Sequence, residues 1–255
     1  MYIKRLFAFL TVLLVLAGCR PATPKSTKDT INFSIISPSG APALSLLDFV
    51  GDETVNYEIV DGSDVLAAEF TSQESDFIIA PVNLGVNLIN NGAQYTLISV
   101  LTWGNLHLVG TSEHLTTNTI AAFGEAAVPG RVLGLVGDVF EGISIDYYNS
   151  VQEVSAALLA GQYNAAVLAE PFLTMTQNQW ASNNEGELYE IYDIQELYKE
   201  ETGMSSYPQA ALFVKTSLVQ SNLQDIMNFA NKMQTSITNY NNNPEALSAR
   251  IDEVD

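Results

Sequence analysis

The chain has 255 residues, 47% of them hydrophobic, and a formal net charge of −19. That is enough apolar material for a sizeable core in one domain or two small ones. The acidic balance excludes nucleic acid as a partner, since that binding needs clustered Lys and Arg, and a single cysteine excludes an intrachain disulfide.

The N-terminus reads as an address label. Lys4 and Arg5 precede an apolar run over residues 6–16, which ends in Leu16-Ala17-Gly18-Cys19. A short positive segment, an apolar core too short to span a bilayer and small residues before a cut site predict an export signal over residues 1–18. The Leu-Ala-Gly-Cys ending resembles the bacterial lipobox. That resemblance implies cleavage before Cys19 and acylation of its sulfur, as with palmitate, giving a lipoprotein anchored at the cell membrane and facing away from the cytoplasm. Residues 1–18 hold two of the ten Lys/Arg and no acid, so the chain from Cys19 onward carries −21. Residues 19–29, with Pro21, Thr23, Pro24, Ser26 and Thr27 and only Ala22 apolar after the cysteine, read as a solvated tether. No later stretch approaches a span, because residues 77–89 are interrupted by Pro81, Asn83, Gly85 and Asn87.

From residue 30 the pattern is globular, and it repeats after 88 to 90 residues (31 to 119, 81 to 171). Residues 31–36 predict a strand, Ser37-Pro38-Ser39-Gly40-Ala41-Pro42 a loop and residues 43–50 a helix stopping at Gly51. Their counterparts are a strand over 119–123, the loop Gly124-Glu125-Ala126-Ala127 and a helix over 128–136. Pro129 lies in the first turn of that helix and Gly137 follows its end. Second strands follow at 55–60 and 143–148. Asp61-Gly62-Ser63 and Asn149-Ser150 then supply N-caps for helices at 65–72 and 151–159, the second with a Ser150/Glu153 capping box. Third strands, at 76–80 and 165–169, each meet a proline, Pro81 or Pro171, before helices at 83–90 and 172–180.

Strands alternating with helices predict an α/β fold of two similar lobes with mainly parallel sheets covered on both faces. Residues 95–101 and 106–110 predict strands flanking a first crossover at Thr102-Trp103-Gly104-Asn105. Ser205-Ser206-Tyr207-Pro208-Gln209 and a strand over 210–214 form the return. The expected division is lobe one over 30–104, completed by 210–255, and lobe two over 105–209. Residues 224–240 predict a long amphipathic helix, and Asn243-Pro244-Glu245 starts another before Asp255. In open sheets of this kind ligands bind beyond the carboxyl ends of the strands, so the two loop edges should face each other across a cleft. Two crossings would then act as a hinge.

The stretches Asp76-Phe77-Ile78-Ile79-Ala80-Pro81, Ala156-Ala157-Leu158-Leu159-Ala160-Gly161 and Ala165-Ala166-Val167-Leu168-Ala169-Glu170-Pro171-Phe172 resemble the ABC-transporter solute-binding lipoproteins with the type II periplasmic-binding fold. The branch is the one that includes the taurine, nitrate, riboflavin and pyrimidine-precursor binders. The last two stretches resemble its ALLAGxxDAAVLxEP signature, with Asn164 where aspartate is usual. The resemblance implies a small-molecule solute, permease and ATPase partners, a lipid-anchored monomer, no cofactor and no catalysis. It also implies one or two further terminal elements beyond Asp255.

Candidate ligand-binding residues follow from the loop positions. Ser39, Gly40, Ala41 and Pro42 form a strand-to-helix loop suited to an acceptor or anion. Gly124 permits close backbone approach, Phe123 offers a ring face and Glu125 a charge. Glu170 either faces the cleft or caps the helix after Pro171. Trp103 and Tyr207 sit at the crossovers and Asn83 follows Pro81. Beyond the tether the only cations are Arg131, Lys199, Lys215, Lys232 and Arg250, none on an expected cleft loop. Tight anion recognition favours an arginine fork, so the pattern points to a neutral or cationic heterocycle with N–H groups, an aminopyrimidine for example. A small-anion binder is the alternative.

His107 and His114 lack metal partners at helical spacing. No HExxH, G-x-S-x-G or G-x-G-x-x-G motif occurs, so no metal site is expected and His107 is expected to be structural. Pyrimidine synthases on the same fold carry a cysteine-rich motif that is missing here, and the dehydratases on it have no export signal. An extracellular sensor would use the same cleft.

Overall fold

The computed structural model describes residues 32–183 and 186–254. The export signal, Cys19 and the tether lie outside the described residues. Among the described residues no helix is long and apolar enough to cross a membrane.

The first lobe begins β1 (Phe33–Pro38), α1 (Ala41–Leu44), β2 (Val55–Val60), α2 (Ser63–Ser72), β3 (Phe77–Pro81), α3 (Val82–Asn90) and β4 (Tyr95–Trp103). The chain then crosses to β5 (Leu106–Gly110) and repeats the order with β6 (Thr119–Phe123), α4 (Val128–Leu135), β7 (Ser144–Tyr148), α5 (Val151–Leu159), β8 (Ala165–Ala169) and α6 (Phe172–Asn183). There follow β9 (Tyr189–Asp193), α7 (Ile194–Thr202), the return strand β10 (Pro208–Lys215), α8 (Thr216–Ser221), α9 (Leu223–Asn242) and α10 (Pro244–Ser248).

Two five-stranded sheets result, in the orders β2-β1-β3-β10-β4 and β7-β6-β8-β5-β9. Each is a parallel trio followed by one antiparallel strand and an edge strand. Four strands of five therefore run the same way in each sheet. The antiparallel position is filled by the strand that has just crossed over, β10 in one sheet and β5 in the other.

Burial explains why the central strands read as unbroken apolar runs. Residues 77–80 and 165–169 are all buried, because helices cover both faces of each sheet. The period of two still sorts their side chains. Ile35, Phe77 and Ile79 join one cluster with Leu46, Phe49 and Phe229, whereas Ile36, Ile78 and Ala80 join Leu66, Phe70 and Phe213 on the other face.

Two local expectations change. The helix expected at 43–50 is a single turn, α1, followed by a short 3₁₀ segment at Leu47–Phe49. Ser45 turns its hydroxyl back onto the Pro42 carbonyl at 2.7 Å, and the chain bends to bury Leu46, Leu47 and Phe49. Helix α4 ends at Leu135, and Gly137 opens a 3₁₀ turn, Gly137–Phe140, instead of closing a left-handed cap. The capping box forms in part. The Glu153 N–H donates to Ser150 Oγ at 3.3 Å, while the Glu153 carboxylate reaches the Asn149 N–H at 2.9 Å.

Helix α9 closes the first lobe. Phe229 stacks on Phe77 at 4.4 Å between centroids and packs against Phe33 and Phe49. On its outer side Lys232 Nζ meets Asp52 Oδ2 at 2.7 Å and lies over the Phe49 ring at 4.3 Å. Further along, Tyr240 and Arg250 both bond Asp48, and Arg250 also reaches the Leu47 carbonyl. The Lys232 hydrogen bond, helped by the Thr54 hydroxyl and N–H, lowers the Asp52 carboxyl from 3.8 to about 2.

Phe229→Ala should cost about 3–5 kcal/mol in urea unfolding, as expected for a buried aromatic truncated in a packed core; a loss below about 1 kcal/mol would show that α9 does not seal this lobe. The Asp52 pKa is depressed by folding, so its ion pair stabilises above about pH 4 and fades as pH falls toward 2. Lys232→Met should therefore cost about 0.5 kcal/mol at pH 7 and less at pH 3. An equal cost at both pH values would exclude the ion pair as its source.

Candidate functional site

The β1–α1 and β6–α4 loops have the same backbone design. After β1 the Ser39 N–H donates to the Val60 carbonyl at 3.2 Å, and after β6 the Gly124 N–H donates to the Tyr148 carbonyl at 3.1 Å. Gly40 and Gly124 then take φ of 81° and 67°, a left-handed geometry that glycine adopts without strain. Their carbonyls accept from Ala43 and Ala127 respectively. The repeat seen in the sequence is thus a repeat of the loop that starts the first helix of each lobe.

These loops face each other across a cavity of about 120 Å³. Its wall draws on all six carboxyl ends of the parallel strands, among them Ser39, Gly62 and Pro81 on one side and Gly124, Ser150 and Glu170 on the other. Thr102, Asn105, Gln209 and Ala210 from the two crossovers complete it. The lobes touch at its rim. Asn83 Nδ2 donates to the Ala126 carbonyl at 2.8 Å, and Gly40 lies against the Phe172 and Val151 side chains. A second cavity, of about 630 Å³, lies on the other side of α1 and is lined by Trp103, Met175 and Tyr240 among others.

Ser39, Gly40, Ala41, Pro42, Phe123, Gly124 and Glu170 all line the first cavity. Four other candidates do not. Asn83 bridges the lobes at the rim through its Nδ2, and its Oδ1 is buried without a partner among the described residues. Trp103 is 53% exposed and faces the second cavity, because it ends β4 on the outer side of the crossover. Glu125 is exposed, beyond the turn that carries Gly124. Tyr207 is buried against Tyr198, with ring centroids 5.0 Å apart, and burial pushes its phenol pKa up; it packs the crossover instead of reaching the cleft.

Glu170 has one resolved role. Its carboxylate accepts from the Thr174 N–H at 3.3 Å and the Thr174 hydroxyl at 2.9 Å, so it caps the first turn of α6 while bordering the cavity. The hydroxyl of Ser39 is likewise bonded, to Asp61 at 2.8 Å.

Among the cavity residues that the sequence did not single out, two stand out chemically. Asn105 Oδ1 and Gln209 Oε1 are buried oxygens without a hydrogen-bond partner, and both residues line the cavity. The Asn105 orientation is fixed, since its Nδ2 donates to the Glu170 carbonyl at 3.2 Å and a flipped amide would set two oxygens together. Buried acceptors of this kind carry a free-energy cost until a donor reaches them.

No protein-family model matches the sequence, and no curated protein matches it. Solved structures do. The chain is similar to an ABC transporter protein from Parabacteroides distasonis, with a TM-score of 0.70 and 22% identity over 88% of this chain and 79% of that one. It is also similar to the periplasmic aliphatic sulphonate binding protein SsuA of Escherichia coli (TM-score 0.61, 11% identity, 88% and 78% covered). The alkanesulfonate-binding SsuA of Xanthomonas axonopodis pv. citri, bound to MOPS, matches at 0.60 with 10% identity and the same coverage. The chain has the periplasmic-binding-protein fold. At these identities the likeness establishes the architecture.

Asn83→Ala should leave thermal stability nearly unchanged, because the bond it removes is at the rim. It should loosen the lobes, raising the radius of gyration in small-angle scattering. An unchanged scattering profile would mean that this bond does not hold the lobes together.

Proposed function

We propose that this chain is the extracytoplasmic solute-binding component of an ABC importer, lipid-anchored through Cys19. Its lobes, residues 30–104 with 210–255 and residues 105–209, would close on a small solute and present it to a permease driven by an ATPase. The observation that carries this reading is the cavity itself, framed by corresponding loops of two lobes with both crossovers at its edge. Capture between lobes requires that arrangement, and catalysis is not needed to explain it. Among the described residues no histidine lines the wall beside its serines, and Glu170, the one carboxylate among the described wall residues, is occupied as a helix cap.

The solute class proposed is neutral or cationic, with N–H groups. Among the described residues no Lys, Arg or His lines the cavity, and Asn105 Oδ1 and Gln209 Oε1 call for donors. The similar structures named for sulphonate binding favour the alternative, a small anion. Against it, the N–H groups of Ser39, Ala43, Gly124, Ala127 and Gly130 are already bonded to carbonyls. In addition α1 is one turn long with Pro42 near its start, so little helix-end charge is available there.

The test is thermal unfolding of the protein, extracted from membranes in detergent, against aminopyrimidines, flavins, polyamines, taurine and nitrate. A ligand at a hundredfold excess over its Kd adds about 2.7 kcal/mol to stability. A shift is expected with a neutral or cationic donor solute and should disappear in Gln209→Leu. Shifts with anions alone would overturn the solute class and leave the capture role standing. Ligand binding with no dependence on a permease for uptake into cells would favour a sensor.

A further inference from the structure

We propose that His107, Glu190 and Asp193 form a binding site for one divalent transition-metal ion, with Zn²⁺ the best match, on the second sheet and apart from the cleft. Each residue offers a ligand atom, and these atoms lie within 4.8 Å of one another. His107 Nδ1 and Glu190 Oε1 are 3.0 Å apart, close to the separation of about 3.3 Å between donors around a four-coordinate zinc.

The backbone builds this grouping in two steps. His107 on β5 stands directly opposite Asp193 on β9 in the antiparallel ladder, so both side chains share one face. Simple alternation would send Glu190, three residues before Asp193, to the other face. A register shift between Leu108 and Val109 pairs Val109 with Glu190, which restores Glu190 to the face of His107. Irregularities of this sort re-aim side chains, often at functional positions.

The ligand chemistry fits a borderline cation. One imidazole and two carboxylates suit Zn²⁺ with water in the remaining position, whereas Mg²⁺ and Ca²⁺ prefer all-oxygen sets. Two carboxylates also outweigh whatever charge one histidine carries, so a dication improves the balance. Asp193 is pre-oriented as well. Its Oδ1 accepts from the Gln195 N–H at 2.8 Å as the cap of α7, an outer-shell bond that leaves Oδ2 for a metal. The His107 side chain is 16% exposed and that of Glu190 45%, which leaves an ion a path in from solvent. Bound there, the ion would tie the edge strand β9 to β5 a few residues beyond the first crossover.

The test uses the detergent-extracted chain, stripped with EDTA and titrated with ZnCl₂ by calorimetry. One ion per chain is expected, with elemental analysis after dialysis giving the same ratio and MgCl₂ giving no heat. Glu190→Gln changes an exposed position and should fold normally. It should weaken binding by more than about tenfold, since even outer-shell partners are worth about ten- to a hundredfold. His107→Ala should do the same, and His114→Ala should have no effect. Co²⁺ loaded into the native protein should give visible absorption that Glu190→Gln alters. Absence of stoichiometric zinc, or zinc binding retained in Glu190→Gln and His107→Ala, would overturn the site.

Discussion

Each sheet is completed by the strand with which the chain arrives from the other sheet, and the rest of the architecture depends on those two crossings. Only Gly104 and Asn105 separate β4 in the first sheet from β5 in the second. The return, β10, enters the first sheet at the matching antiparallel position. The two crossings are bonded to each other, with the Gly104 N–H donating to the Tyr207 carbonyl at 2.9 Å. They are also packed so closely that a Cβ on Gly104 would come within 2.8 Å of the Tyr207 ring. The same pair sets Asn105 and Gln209 beside the cavity, so the connection between the two sheets and part of the cavity wall are one piece of structure.

The repeat was legible because both lobes solve the same local problem. A buried parallel strand needs an apolar run, and the loop after it needs a residue tolerant of positive φ. Gly40 and Gly124 supply that at equivalent points. Glu153 was readable as a cap because capping is local. Strand β9 and helix α7 were not anticipated. The register shift breaks the alternation of Tyr189–Asp193, whereas α7 does carry a helical period, with Ile194, Leu197 and Tyr198 turned inward behind the Asp193 cap, a short signal that the surrounding acidic residues obscure.

The cleft was legible at the level of loops and less so at the level of side chains. Ser39 to Pro42, Phe123, Gly124 and Glu170 follow from the rule that loops at strand ends meet. Trp103, Tyr207 and Asn83 miss the cavity because a side chain at a crossover or helix start can turn either way, and tertiary packing decides which. For Tyr207 the outcome is burial against Tyr198, and for Asn83 a bond across the rim. Asn105 and Gln209 lie in the predicted crossovers, but nothing in the sequence separates them from Trp103 and Tyr207 beside them. What distinguishes them is that their unpaired oxygens belong to residues of the cavity wall, unlike those of Asn83, Tyr207 and Ser236, a property that exists only once the chain is folded. The triad of His107, Glu190 and Asp193 was hidden for the same reason, since 83 residues separate the first two.

Under the proposed reading, attraction and recognition are separate jobs done by different parts of the molecule. The chain from Cys19 onward carries −21, and the field of such a net charge raises the encounter rate of a cationic solute while salt weakens it. Inside the cleft that charge has little direct hold. Glu170 spends its carboxylate on the start of α6, and the oxygens left free are neutral carboxamides. Neutral acceptors discriminate by whether a donor is present, because a solute lacking it leaves them buried and unpaired. Surface charge would then govern how fast a solute arrives, and Asn105 with Gln209 would govern which solute stays.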